Sequence, residues 1–132
     1  MKTSELRLGN LVQYGGVTAK VSHIEKSFFY CESELIYFTK DGERGAKPIP
    51  LTDEWLLKFG FHLRDGFSNI FRLNVEKHQY DCSEITYSEK EGLLRFSNGQ
   101  GKGATLIPHI KHVHQLQNLY FALTGEELTL KL

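Results

Sequence analysis

Three of the chain's six histidines fall in one short run, Pro108-His109-Ile110-Lys111-His112-Val113-His114. Imidazole is the commonest metal ligand. On a helix His109 and His112, three apart, can meet, whereas His112 and His114, two apart, point to different sides. No carboxylate or cysteine stands at a helpful local spacing, and a wheel count sets His112 beside Leu116 and Leu119 on an apolar stripe. The run therefore reads as a core or helix-entry histidine held by a hydrogen bond. No metal or cofactor is expected.

The glycine-rich stretch Asn98-Gly99-Gln100-Gly101-Lys102-Gly103-Ala104-Thr105 lacks the strand, spacer, Gly-Lys-Ser/Thr and helix order that wraps backbone amides around a phosphate. It reads as a hairpin loop on which Lys102 can touch a nucleic-acid backbone without sequence preference. Cys31 and Cys82, the two cysteines, fit no metal spacing. Neither sits at a helix N-terminus, where a thiolate is favoured. They read as free thiols of a reducing compartment. Glu32, Glu34, Glu89 and Glu91 fall on turns and exposed strand ends. No convergent acid, base and nucleophile can be named, so the chain reads as a non-enzyme.

Two surfaces remain. On the C-terminal helix Phe121 falls off the main apolar stripe, on the same side as His114 and Gln117, with Asn118 at the border. This side packs against a sheet or marks a contact surface for a partner chain or a twin subunit. In the N-terminal half the aromatics Phe28, Phe29, Tyr30, Tyr37 and Phe38, with Tyr14, Lys20, Lys26 and Lys40, fill a small core or form a base-stacking or peptide-binding platform.

The elements that position these residues read clearly. The chain has 132 residues and is rich in aromatics, with nine Phe, six Tyr and one Trp. That is enough for one domain or two very small ones. Sixteen basic and sixteen acidic residues balance, which argues against bulk electrostatic binding to nucleic acid or an anionic membrane. The opening residues Met1–Arg7 lack the apolar core of a signal peptide. No stretch approaches the roughly 18 apolar residues of a membrane span. A cytoplasmic location without membrane contact is expected.

Leu11–Tyr14, Val17–His23, Phe28–Cys31 and Leu35–Thr39 read as strands, with turn signals at Gly15-Gly16 and Lys40-Asp41-Gly42-Glu43. Close spacing and short turns predict an SH3-like barrel over residues 1–50. Residues 51–132 read as a helix, an antiparallel meander of about four strands and a C-terminal helix. The strands are drawn from Phe61–Arg64, Ile70–Val75, Ile85–Ser88, Leu93–Phe96 and Ala104–Ile107. The C-terminal helix runs from about Lys111 to Thr124, with Val113, Leu116, Leu119, Tyr120 and Leu123 on one face. The fold class is α+β, its halves packed through Trp55, Leu56 and Phe59. The alternative is one continuous sheet with both helices on one face.

The first helix is written in full. Thr52 is the N-cap, and Asp53 and Glu54 suit the positive end of the dipole. Leu51 and Leu56 form a hydrophobic staple, and Gly60 ends the helix with Phe61 folding back on Leu56.

Pro48-Ile49-Pro50-Leu51-Thr52-Asp53-Glu54-Trp55-Leu56-Leu57-Lys58-Phe59-Gly60-Phe61 and His112-Val113-His114-Gln115-Leu116-Gln117-Asn118-Leu119-Tyr120-Phe121-Ala122-Leu123-Thr124-Gly125-Glu126-Glu127-Leu128, preceded by Glu5-Leu6-Arg7-Leu8-Gly9-Asn10, resemble in this order a family of small uncharacterised proteins. They belong to Bacteroides-type bacteria and their prophages or mobile elements. The resemblance spans the chain in outline, more loosely in the intervening strands. It implies a cytoplasmic accessory protein and assigns no catalytic residue. The expected function is a non-enzymatic protein-interaction module with a protein partner or a homo-oligomeric state. The alternative is an accessory nucleic-acid-binding protein using Tyr14, Lys20, Lys26, Phe29, Tyr37 and Lys102.

Overall fold

The computed structural model describes residues 3–25, 28–31, 37–40, 46–63, 66, 69–75, 83–97 and 104–131. The chain is mixed α+β and divides into two compact units, Met1–Pro50 with His112–Ala122, and Leu51–Lys111 with Leu123–Leu132. The expected division at residue 50 keeps the whole C-terminal helix with the second half. In the structure His112–Ala122 groups with the first unit, where the Val113 N–H donates to the Ile49 carbonyl at 2.9 Å. An isolated bridge joins Pro50 to His112.

The first unit opens with a short 3-10 turn, Thr3–Glu5, followed by β1 (Leu11–Tyr14), β2 (Val17–Ile24), β3 (Phe28–Cys31), β4 (Tyr37–Lys40) and β5 (Ala46–Lys47). The five strands form one antiparallel sheet in the order β4-β3-β2-β1-β5. Tyr14 faces Val17 across the β1–β2 turn. Gly15 and Gly16 there have φ of 57° and 80°, the left-handed pair whose twist matches a two-residue hairpin. The core is Leu6, Val12, Ala19, Val21, Phe29, Cys31 and Ala46, with Tyr14 and Ile24 packed against it.

Strict alternation along β2 would set His23 beside Ala19 and Val21. A register shift between Val21 and His23 breaks it. The irregularity re-aims the following side chains, so His23 is exposed and Ile24 reaches the core. Burial raises the pKa of the free Cys31 thiol. Cys82 lies outside the described residues.

The second unit contains α1 (Asp53–Lys58), then β6 (His62–Leu63), β7 (Ile70–Asn74), β8 (Glu84–Ser88), β9 (Leu93–Ser97) and β10 (Ala104–Ile107). These strands make an antiparallel meander, β10-β9-β8-β7-β6. The strands thus form two sheets, not one continuous sheet.

Helix α1 is capped as the sequence predicts. The Thr52 hydroxyl accepts from the Trp55 N–H at 3.4 Å. At the other end the Phe61 N–H donates to the Leu56 carbonyl and the Gly60 N–H to the Leu57 carbonyl, both at 3.0 Å. Those two bonds, with Gly60 at φ 92°, are a Schellman end. Leu56 and Phe59 are fully buried, while Trp55 is half-buried and lies under the Lys58 ammonium at 4.8 Å. The Lys131 N–H donates to the Lys58 carbonyl at 2.6 Å, tying the C-terminal segment to the helix end.

Helix α2 (Val113–Thr124) begins two residues later than expected. His112 takes the N-cap position, where its N–H donates to Gln115 Oε1 at 3.0 Å, the backward half of a capping box. Val113, His114, Leu116, Gln117 and Thr124 are buried, whereas Leu119 is half-buried and Leu123 exposed. The buried stripe is therefore rotated toward the polar side of the expected one. Among the described residues no helix is long and apolar enough to cross a membrane.

Candidate functional site

The residues expected to face a partner, His114, Gln117, Asn118 and Phe121, do stand on one side of α2. In the first unit that side is occupied by residues 5–11 of the same chain. Gln117 is 3% exposed. Its Oε1 accepts from the Leu11 N–H at 2.8 Å and its Nε2 donates to the Gly9 carbonyl at 3.3 Å. Asn118 Nδ2 donates to the Glu5 carbonyl at 2.9 Å, and its Oδ1 accepts from Asn10 Nδ2 at 2.9 Å. The Arg7 guanidinium adds a longer bond to the same oxygen at 3.4 Å and lies 3.8 Å over the Phe121 ring.

These contacts correct the partner-surface reading. His114 and Gln117 are buried and cannot meet a partner. Asn118 is half-buried and committed to residues 5–10. Phe121, 38% exposed, carries Arg7 on its ring. The physical reason is that residues 5–10 lie outside any strand, so their backbone groups need partners, and the two amides supply them.

Asn10 completes the seam, with no surface exposed. Its Oδ1 accepts from the Arg7 N–H at 2.7 Å. Its backbone N–H donates to the Arg7 carbonyl at 3.1 Å, and its carbonyl accepts from the Val21 N–H at 2.8 Å. Sequence reasoning missed Asn10 and Arg7. The one local signal is Gly9-Asn10 ahead of an apolar strand, a turn dipeptide whose asparagine bonds nearby backbone.

His114 is the chemical oddity of the seam. It is 2% exposed, and neither ring nitrogen has a hydrogen-bond partner among the described residues. The His112 ring is stacked nearly parallel, with centroids 5.9 Å apart. Burial, then the neighbouring His112, push the His114 pKa down to about 4, against a smaller upward pull from Glu5. The imidazole is neutral at pH 7. The helical wheel chose His112 for the buried stripe; with the helix starting at Val113, His114 takes that place.

The nucleic-acid residues are scattered. Phe29 is 1% exposed, in the core, so it cannot stack on a base. Tyr14 is half-buried against the same core. Tyr37 lies on β4, and Lys26 and Lys102 fall outside the described residues. Lys20 is exposed.

Tyr14 nevertheless lines an open depression of about 430 Å³ with Gln13, Gly15, Gly16 and Lys47. Its walls are the β1–β2 turn and β5. Gln13 faces Lys47 on one side and Thr18 on the other, and all three are exposed. Lys20 pairs with Leu11, two residues from Gln13, so Lys20 and Lys47 stand on the same face of the sheet. Strand β5, with Lys47, went unread because two residues are too few to show a period. Among the described residues no three His, Cys, Asp or Glu side chains gather to hold a metal. No family model, curated protein or solved structure matches the chain.

Proposed function

We propose that the protein is a non-enzymatic interaction module that recognises another protein at the Gln13–Tyr14–Lys47 depression. The depression itself carries the reading: it is open and lined by a tyrosine, an amide, an ammonium and a two-glycine turn whose bare backbone an incoming chain can approach. We read the first sheet as an SH3-like barrel. Its support is the strand order, a meander whose last strand returns beside the first. Small barrels of that kind take extended segments in aromatic-lined grooves. The resemblance carried by Pro48–Phe61 and His112–Leu128 supports a place among cytoplasmic accessory proteins of prophages or mobile elements.

The test is recovery of complexes from the native host with the intact chain and with a Gln13→Glu/Lys47→Glu variant, changed at two exposed positions of the depression and of unchanged melting temperature. The reading expects a protein that the intact chain retains and the variant loses. Equal recovery by both rejects the surface. Light scattering on the purified chain shows whether the partner is a second copy.

A second reading rests on Lys20 and Lys47 sharing a face. Nucleic-acid binding there would give an anisotropy change with labelled single-stranded or duplex DNA that weakens with salt. It would vanish in a Lys20→Glu/Lys47→Glu variant.

A further inference from the structure

We infer that His114 makes the seam between α2 and residues 5–11 acid-labile, so that mild acid breaks the bonds from Gln117 and Asn118 to that segment while the segment's own backbone bonds to β2 and the sheet stay formed. The argument begins with the missing partners. A buried imidazole usually has each ring nitrogen bonded, because a polar group taken from water unpaired is costly. His114 is buried with both nitrogens unpaired among the described residues. Adding a proton would place a full charge there with nothing to receive it, which costs far more.

The charged and titratable groups acting on His114 from the described residues are two. His112, stacked 5.9 Å away on the same helix end, repels a second positive charge. Glu5, at the end of the N-terminal 3-10 turn, attracts one and is outweighed by burial and His112. The proton is therefore accepted only when the site opens to water.

Opening has a defined consequence. His114 stands three residues before Gln117 and four before Asn118, on the same face of α2. Those two amides hold Leu11, Gly9, Asn10 and Glu5. A helix turn that lifts to hydrate His114 takes the Gln117 and Asn118 bonds with it. Val12 and Ala19 face each other in the sheet, and their pairing does not depend on those bonds. Protonation thus has one bistable element to bias, the seat of the 114–118 turn.

Amide hydrogen exchange followed by NMR reads the device directly. The Leu11 amide, held by Gln117, should lose protection by about tenfold per pH unit between pH 6.5 and 4, after correction for intrinsic exchange. The cross-strand amides of Val12 and Ala19 should keep theirs. In His114→Phe, which fills the volume without titrating, the Leu11 loss should disappear. An unchanged Leu11 protection over that range overturns the inference, as does an equal loss in His114→Phe. Should that variant fail to fold, the imidazole of the unaltered chain decides. A His114 titration midpoint near 6.5 with the seam bonds intact overturns the inference, and a midpoint well below 6 that coincides with Leu11 deprotection supports it.

Discussion

Replacing Gln117 with leucine tests whether the amide seam holds the first unit together. The side chain is 3% exposed, and leucine has similar bulk, so the change removes polar atoms more than volume. The Leu11 N–H, bonded at 2.8 Å in a buried setting, would lose its only acceptor among the described residues. A buried donor left unsatisfied costs about 1–3 kcal/mol. The Gly9 carbonyl loses a bond of 3.3 Å, weak by geometry, adding about 0.5 kcal/mol. The greater apolarity of leucine returns part of this, leaving a net loss of about 2 kcal/mol.

Urea unfolding followed by far-UV circular dichroism is the assay. The single tryptophan, Trp55, lies in the other unit, so circular dichroism, which reads the strands and helices of both units, is preferred to its fluorescence. With m of about 1–3 kcal/mol/M, the midpoint should fall by about 1 M at unchanged m. A fall below about 0.2 M would refute the reasoning. It would mean that residues 5–11 find water as readily as they find Gln117.

Other substitutions test separate links. Gly60→Ala should cost about 1–2 kcal/mol, read as a lower urea midpoint, because φ is 92° and an L side chain pays for the left-handed region. A Cβ there would also meet Lys131 Cγ at 3.2 Å. Phe121→Ala should cost about 1 kcal/mol or less and leave the chain folded, since the ring is partly exposed and its Arg7 contact belongs to the weak end of cation–π pairs; a far-UV spectrum at 25 °C and the urea midpoint would check this.

The pH dependence of stability has a definite sign at His114. The folded pKa is about 4 against 6.5 for the free side chain, so between those values the unfolded chain binds a proton that the folded chain refuses. Stability from this group is intact above pH 6.5 and is lost as pH falls toward 4, by about 3 kcal/mol at most. Midpoints measured at pH 7 and pH 4.5 should differ less in His114→Phe than in the unaltered chain.

Where a feature depends on neighbours a few residues away, the sequence was sufficient. Thr52, Gly60 and Phe61 specify both ends of α1, because capping bonds join residues three to five apart. Gly15-Gly16 specifies the β1–β2 turn, because two-residue hairpins need positive φ, which glycine adopts without strain, and both residues adopt it here. The strands from Leu11, Val17, Phe28, Ile70, Leu93 and Ala104 follow from β-branched and aromatic runs between turn signals.

Where a feature depends on what lies opposite, the sequence was insufficient. Hydrophobic periodicity assigns Gln117 and His114 to the wet side of α2 because it scores them polar. It cannot know that Gly9 and Leu11 offer backbone groups for Gln117 to bond. The same blindness chose Leu119 and Leu123 over Gln117 and Thr124, placed His23 with the core of β2 across an irregular register, and left Phe29 open to a surface role. It also gave α2 wholly to the second half, since nothing local records that His112–Ala122 belongs with residues 1–50. Local propensity determined which segments are helix and strand. Only tertiary structure decided which polar side chains are buried, because an amide such as Gln117 is stable in the interior where groups distant in sequence, here the Gly9 and Leu11 backbone, supply its partners.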